Sequence, residues 1–147
     1  MKTRNPIKLF VLALMFFTAC GPSATPTPTL FQCENPYAPQ AGDSALMRND
    51  VTIDSSSLTL TSDMPPQVTL SFAYFQPTPC HQLRVEVSEP DAQNRINVTV
   101  YAVAEKDKPC ALMPLSTPLA ASLNLGSFPT GHYSVWLNDI EVSEFDS

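Results

Sequence analysis

Hydrophobic and polar residues alternate along most of the C-terminal part of the chain. The clearest example is residues 83–88, where apolar residues at every second position enclose Arg84 and Glu86. Segments of the same kind lie at 51–60, 67–75, 95–104, 119–126, 132–138 and 140–145. Successive side chains of a strand point to opposite faces, so this alternation predicts strands that each bury one face.

These segments predict about seven short strands within about 100 residues, which is typical of an immunoglobulin-like β-sandwich. Turns rich in Pro and Asp separate them, and none shows a sustained helical period. The chain contains 15 Pro and 4 Gly, and Pro breaks helix interiors, so the composition argues against a helical bundle. We predict one all-β domain at 46–147, with a small closed barrel as the alternative architecture.

The segment LGSFPTGHYSVWLND, residues 125–139, resembles the penultimate-strand signature of fibronectin-III-like and bacterial immunoglobulin-like modules. The resemblance implies that Pro129 and Gly131 shape a turn and that Tyr133 buries its ring and bonds its hydroxyl to the backbone, as in a tyrosine corner. More broadly, residues 66–147 resemble a group of uncharacterised exported bacterial domains. That resemblance implies a fold and a compartment, and no activity.

The N-terminal residues have the pattern of a signal peptide. Three basic residues lie within residues 1–8, and a run of nine apolar residues, LFVLALMFF, follows at 9–17. This run is too short to span a bilayer, which takes about 20 apolar residues. We therefore predict a signal peptide at 1–19 and an exported protein.

The next residues, Phe17-Thr18-Ala19-Cys20-Gly21, resemble the lipobox of bacterial lipoproteins. The resemblance implies that the Cys20 sulfur carries a diacylglyceryl group and that cleavage leaves Cys20 as the acylated N-terminus. Several acyl chains, such as palmitate, anchor a protein stably where one anchors only marginally. Phe17 departs from the usual Leu, and an ordinary signal peptide with an incidental cysteine is the alternative. We predict anchoring to a bacterial membrane, facing the periplasm or the cell exterior.

A segment rich in Pro and Thr follows Cys20 and carries no charge up to Phe31. Such a composition favours an extended, polyproline-like chain. We predict that residues 20–45 form a spacer between the membrane and the domain.

The three other cysteines are Cys33, Cys80 and Cys110, and they allow three possible pairs. A disulfide is expected in an exported protein because its surroundings are oxidising. Cys80 precedes one predicted strand and Cys110 follows the next, so the open end of a hairpin would bring these two together. We predict the Cys80–Cys110 pair, and Cys33 is left as a free thiol, an intermolecular partner or a competitor for that pair.

Charge argues against nucleic-acid binding. From Cys20 onward the chain carries five basic and fourteen acidic residues, a net charge of −9. An acidic surface repels nucleic acid, and the basic residues form no stripe.

No catalytic or metal-binding pattern stands out. A Cys–His pair of Cys80 and His81 fails as a nucleophile and base because neighbouring residues of a strand point to opposite faces. A copper site at Cys80, His81 and Met113 would lose its thiolates to a disulfide. We therefore expect no catalytic residues, no metal and no cofactor.

Three aromatic residues, Phe75, Tyr101 and Trp136, lie off the main apolar faces of their segments. Exposed together they would form an aromatic binding patch, and packing under a neighbouring loop is the alternative. We expect a non-enzymatic binding or structural module of the cell envelope, whose partner is an envelope protein or a glycan. The alternative is a small envelope enzyme, or a protease-inhibitor-like module acting through exposed loops such as 104–118.

Overall fold

The computed structural model describes residues 35–108, 110 and 116–147. The predicted signal peptide, Cys20, Cys33 and Met113 lie outside the described residues. A short 3-10 helix spans Asp43–Ala45. The strands that follow are β1 (Met47–Asp50), β2 (Thr52–Leu60), β3 (Val68–Phe75), β4 (Gln82–Val87), β5 (Arg95–Ala104), β6 (Leu119–Gly126), β7 (His132–Leu137) and β8 (Ile140–Asp146).

The strands form two sheets, which confirms the predicted all-β sandwich. One sheet has the order β2-β3-β6 and is antiparallel throughout. The other sheet is built around β5, which pairs with β4 on one side and with both β1 and β7 on the other, while β8 pairs with β7. The β5–β7 pairing is parallel. Among the described strands each sheet has open edges, so the closed-barrel alternative is wrong.

The predicted alternation matches the buried faces. In β3, residues alternate strictly between buried and half-buried, and those that face inward include Leu70 and Phe72. The inward face of β5 is likewise buried from Ile96 to Ala102. These faces and those of β4, β6 and β7 meet in one hydrophobic core between the sheets.

The strand count differs slightly from the sequence prediction. Eight strands are described where about seven were expected, because β1 (Met47–Asp50) precedes the predicted segment 51–60, which forms β2 alone. The chain pairs with β5 up to Asp50, and after Val51 it pairs with β3 in the other sheet. Val51 is buried, so the crossing between the sheets is anchored in the core.

Part of the predicted spacer packs on the sandwich. Asn35 donates a side-chain hydrogen bond to the Val85 carbonyl at 2.7 Å, and the Val85 amide donates to the Tyr37 carbonyl at 2.9 Å. The Tyr37 ring packs against the core. The folded part therefore includes residues 35–45, which were predicted to belong to the 20–45 spacer. Within the described ranges, no helix has the length and apolar character needed to cross a membrane.

The turn before β7 contains the tyrosine corner expected from its resemblance. The Tyr133 hydroxyl donates to the Pro129 carbonyl at 3.0 Å, and its buried ring stacks on Phe145 at 5.4 Å between centroids. A Cβ at Gly131 would lie 3.2 Å from Cε2 of Tyr133. The close approach of backbone to ring therefore favours glycine at this position.

Candidate binding face and adjoining cleft

The predicted disulfide is present. Cys80 and Cys110 are bonded, with 6.0 Å between their Cα atoms. The bond joins the residues just before β4 to the segment after β5, at the open end of the hairpin that these two strands form, as predicted. It holds these two segments together at one end of the sandwich.

The structure separates the three predicted aromatic residues. Phe75 ends β3 in the three-stranded sheet, where it pairs with Thr52 of β2. Tyr101 and Trp136 lie on β5 and β7 of the other sheet. The single patch that Phe75, Tyr101 and Trp136 would have formed is therefore divided, and only Tyr101 and Trp136 share a sheet.

Tyr101 is the centre of a polar cluster on the outer side of its sheet. The Arg48 guanidinium lies over its ring at 3.6 Å from the centroid, and its hydroxyl donates to Glu86 at 2.7 Å. Arg48 also approaches Glu86 at 3.8 Å. Burial, reinforced by the hydrogen bond to Glu86, raises the pKa of the Tyr101 phenol. The ring is thus held in one position and capped by a cation.

Trp136 has a similar partner at the other end of β5. It pairs with Asn97 in the parallel register, and the Arg95 guanidinium lies 5.9 Å from its ring centroid. The indole N–H donates to the Ser134 hydroxyl at 3.0 Å. The half-buried ring is therefore oriented by a neighbour on its own strand and by a cation from β5.

Arg95 is itself fixed by a local turn. Asp91 accepts hydrogen bonds from the Arg95 backbone amide and side chain, both at 2.9 Å, and from the Gln93 amide at 2.8 Å. The backbone hydrogen bond from Arg95 is the main reason that the pKa of the Asp91 carboxyl is lowered. An ionised Asp91 therefore holds Arg95 beside the indole.

The outer side of β5 thus carries an Arg–aromatic pair at each end, with exposed Asn97 between them. We call this surface the β5 face, and its residues are Arg48, Arg95, Asn97, Thr99, Tyr101 and Trp136. The outer side of the three-stranded sheet is different, because it carries small uncharged residues such as Ser71 and Ser122, whose hydroxyls lie 3.1 Å apart. Trp, Tyr and Arg are the residues that dominate binding energy in protein interfaces.

A buried ion pair lies beside the β5 face. Arg84 binds Asp43 through two hydrogen bonds, Nε to Oδ2 at 2.6 Å and a terminal nitrogen to Oδ1 at 3.0 Å, and both side chains are largely buried. This pairing lowers the pKa of Asp43 and raises that of Arg84. Asp43 belongs to the 3-10 helix, so the ion pair holds residues 35–45 against β4.

The same ion pair borders a cleft of about 650 Å³ that also includes the disulfide and His81. The sequence pattern predicts no site here, because Asp43 falls in the predicted spacer and Arg84 occupies a position expected to face solvent.

The described part of the chain contains no group of three His, Cys, Asp or Glu side chains arranged as metal ligands. The two histidines are far apart in the fold, since His81 lies beside the disulfide and His132 begins β7. Comparisons of this chain with protein-family models, curated proteins and solved structures found no match.

Proposed function

We propose that the protein is a lipid-anchored, non-enzymatic binding module of the cell envelope and that the β5 face contacts its partner. The anchor rests on the lipobox-like segment ending at Cys20. The Cys80–Cys110 disulfide is in keeping with an oxidising, exported environment. The observation that carries the binding role is the pair of Arg–aromatic contacts on the outer side of the sheet, formed by residues of β1, β5 and β7.

The β5 face is suited to binding because its large side chains are already ordered. Glu86 holds Tyr101 and Arg48, while Asp91 holds Arg95 beside Trp136. Binding usually costs free energy because long side chains lose rotamer freedom. At this surface the fold has already restricted them, so less of that cost falls on association.

The partner is an envelope protein or a glycan, because both can use the chemistry of this surface. The half-buried Trp136 ring can contribute apolar contact area with little loss of side-chain entropy, and the buried Tyr101 ring supports the exposed Arg48 that lies over it. The exposed Asn97 amide and the Arg95 guanidinium supply hydrogen-bond donors between and beside the rings. The same combination can receive a protein loop or the hydroxyl-rich face of a sugar.

Site-specific photocrosslinking in intact cells tests this proposal. A photoreactive phenylalanine replaces Asn97 on the β5 face, and a matched variant carries it at the exposed Ser57 on the outer side of the other sheet. We expect a discrete adduct from position 97 and none from position 57. Protease treatment of the adduct then distinguishes a protein partner from a glycan.

A second substitution links the adduct to the aromatic contacts. Trp136→Ala in the position-97 variant should weaken the adduct strongly, because truncation of a Trp that acts as a binding hot spot commonly costs about 2 kcal/mol or more of binding free energy. Equal adducts from positions 97 and 57, or an adduct that persists unchanged without the indole, would contradict the proposed role of the β5 face.

A further inference from the structure

The cleft beside the disulfide has both polar and apolar walls. It lies between the 3-10 helix, the residues leading into β4, and the segment that follows β5. Its apolar wall consists of Leu46, Met47, Val103 and Ala104. A volume of about 650 Å³ is within the range of small-molecule sites in proteins.

The hydrogen-bond acceptors around the ion pair are already engaged. The carboxylate of Asp43 accepts two hydrogen bonds from Arg84 and one from the Gln40 amide at 2.8 Å. The side-chain oxygen of Gln82 also accepts from Arg84, at 3.0 Å. These acceptors therefore have little left to offer a ligand that donates hydrogen bonds.

His81, which lines the same cleft, has a ring nitrogen without a hydrogen-bond partner among the described residues. His81 Nδ1 lies 2.8 Å from the Thr78 hydroxyl, which receives the Cys80 amide at 3.4 Å and lies 3.1 Å from the sulfur of Cys110. A disulfide sulfur is a weak acceptor, which favours a hydrogen bond from the Thr78 hydroxyl to Nδ1 and a ring proton on Nε2. Nε2 is buried and has no hydrogen-bond partner among the described residues.

His81 is also held in place. The Gln76 side-chain amide donates to the carbonyls of Thr78 and His81, at 2.8 and 2.5 Å. With the disulfide at Cys80, these bonds fix the loop from 76 to 81 at both ends. The unpaired ring nitrogen of His81 therefore belongs to a fixed loop that borders the cleft, and a buried polar atom without a hydrogen-bond partner costs free energy.

The charge of the cleft differs from that of the whole domain. Three of the five basic residues after Cys20 line it, namely Arg84, Lys106 and Lys108, against two acidic residues, Asp43 and Glu105. Glu105 pairs with Lys108 at 3.0 Å and Asp43 with Arg84. Lys106 is therefore the excess positive charge among the lining residues, whereas the chain from Cys20 onward has a net charge of −9.

We propose that this cleft binds a small organic anion, a carboxylate whose apolar portion lies against Leu46 and Val103. Its oxygens accept from Lys106 and, after a small adjustment of the wall, from Nε2 of His81. This site goes beyond the proposed function, because it requires neither the membrane anchor nor the β5 face. The disulfide holds two of its walls together, so an intact Cys80–Cys110 bond is needed for binding.

The two histidines make the test internally controlled. Imidazole nitrogen signals of the full-length, 15N-labelled protein in detergent are followed during titration with butyrate, with neutral butyramide, and with inorganic phosphate, at constant pH. We expect butyrate to shift the His81 signals saturably and to leave those of His132, which lies beside Asp146 and Glu144, unchanged. Butyramide should produce no saturable shift, and phosphate should bind more weakly than butyrate because it has no apolar portion.

The opposite results would overturn the proposal. They are the absence of a His81 shift at butyrate concentrations that would saturate a site with a millimolar Kd, equal shifts with butyramide, and binding of phosphate that is tighter than that of butyrate.

A charge-matched pair of variants locates the anion. Lys106→Gln should weaken butyrate binding by about threefold, the loss expected for an exposed ion pair. Thr59→Glu changes the net charge equally at an exposed position of β2. Thr59 lies near one end of β2, and the other end pairs with Phe75, which leads into the loop that borders the cleft. This variant should leave the affinity unchanged, and an equal loss in both variants would show that only the overall charge matters.

Discussion

Replacing Cys80 and Cys110 together by serine should lower the free energy of unfolding by about 3.6 kcal/mol, the loop-entropy value for the closed loop. That value follows from the 30-residue separation of the two cysteines, because the bond restricts the unfolded chain. For a folded part of about 110 residues, the unfolding entropy converts this loss into a drop of about 15 °C in Tm.

Urea unfolding followed by the fluorescence of Trp136 measures this change. The protein has a single Trp, and it lies on β7, away from the disulfide, so its signal reports on the unfolding of the sandwich as a whole. The m-value should rise in the double variant, because its unfolded chain exposes more surface. Reduced wild-type protein should unfold like the double variant.

Cys33→Ser is the matched control, and it should leave the unfolding curve unchanged. A loss below about 1 kcal/mol in the Cys80/Cys110 variant would refute the reasoning, since the loop-entropy estimate would then fail for this loop. An equal loss in Cys33→Ser would refute the assigned pairing.

Three further changes test single contacts. Tyr133→Phe should cost about 1 kcal/mol in urea unfolding, because it removes one hydroxyl hydrogen bond to the backbone and keeps the ring; no loss would contradict the role of the corner. The pKa of His132 is raised above 6.5, mainly by its hydrogen bond to Asp146, so its contribution to stability is complete below pH 6.5 and disappears as pH rises through the folded pKa. His132→Asn should abolish that pH dependence in thermal melts, and a pH profile identical to wild type would contradict the assignment. The pKa of Asp43 is lowered from 3.8, mainly by its hydrogen bond with Arg84, so its contribution is present above that pH and is lost as pH falls through the folded value. Asp43→Asn should destabilise the protein at neutral pH and weaken its dependence on acid, and unchanged acid unfolding would argue against the ion pair.

The strands could be predicted because each buries one face. In β3 and β5 the apolar residues recur at every second position, and these are the residues that the core buries. The disulfide followed from the same local reasoning, because β4 and β5 form a hairpin. Hairpins join neighbours in sequence, so a local pattern contains the information needed to place their ends.

The ion pair of Arg84 and Asp43 could not be predicted in this way. Arg84 occupies a polar position of an alternating strand, which normally faces solvent, yet it is buried. It is covered because residues 35–45 fold back onto β4, a contact between positions 41 residues apart. A period of two describes a strand and its faces, and it contains no information about a segment that covers the outer face.

The composition of the β5 face was also beyond the sequence pattern. That pattern indicated that Tyr101 and Trp136 lie off the apolar face, but it gave the same indication for Phe75. The difference depends on strand pairing, because the parallel pairing of β5 with β7 places Trp136 beside Asn97, whereas β3, which ends at Phe75, pairs with β2 and β6 in the other sheet. Parallel pairing joins distant segments, and no local turn signals it.

Mass spectrometry of the mature protein from membranes of the cells that produce it tests the lipid anchor most directly. We predict a chain that begins at Cys20 and carries acyl groups there, and a Cys20→Ser variant that is no longer processed into this anchored form yet has an unchanged Tm. A membrane-associated mature chain whose Cys20 is unmodified would contradict the anchor, and a Cys20→Ser domain that melts like the Cys80/Cys110 variant would contradict the separate roles of these cysteines.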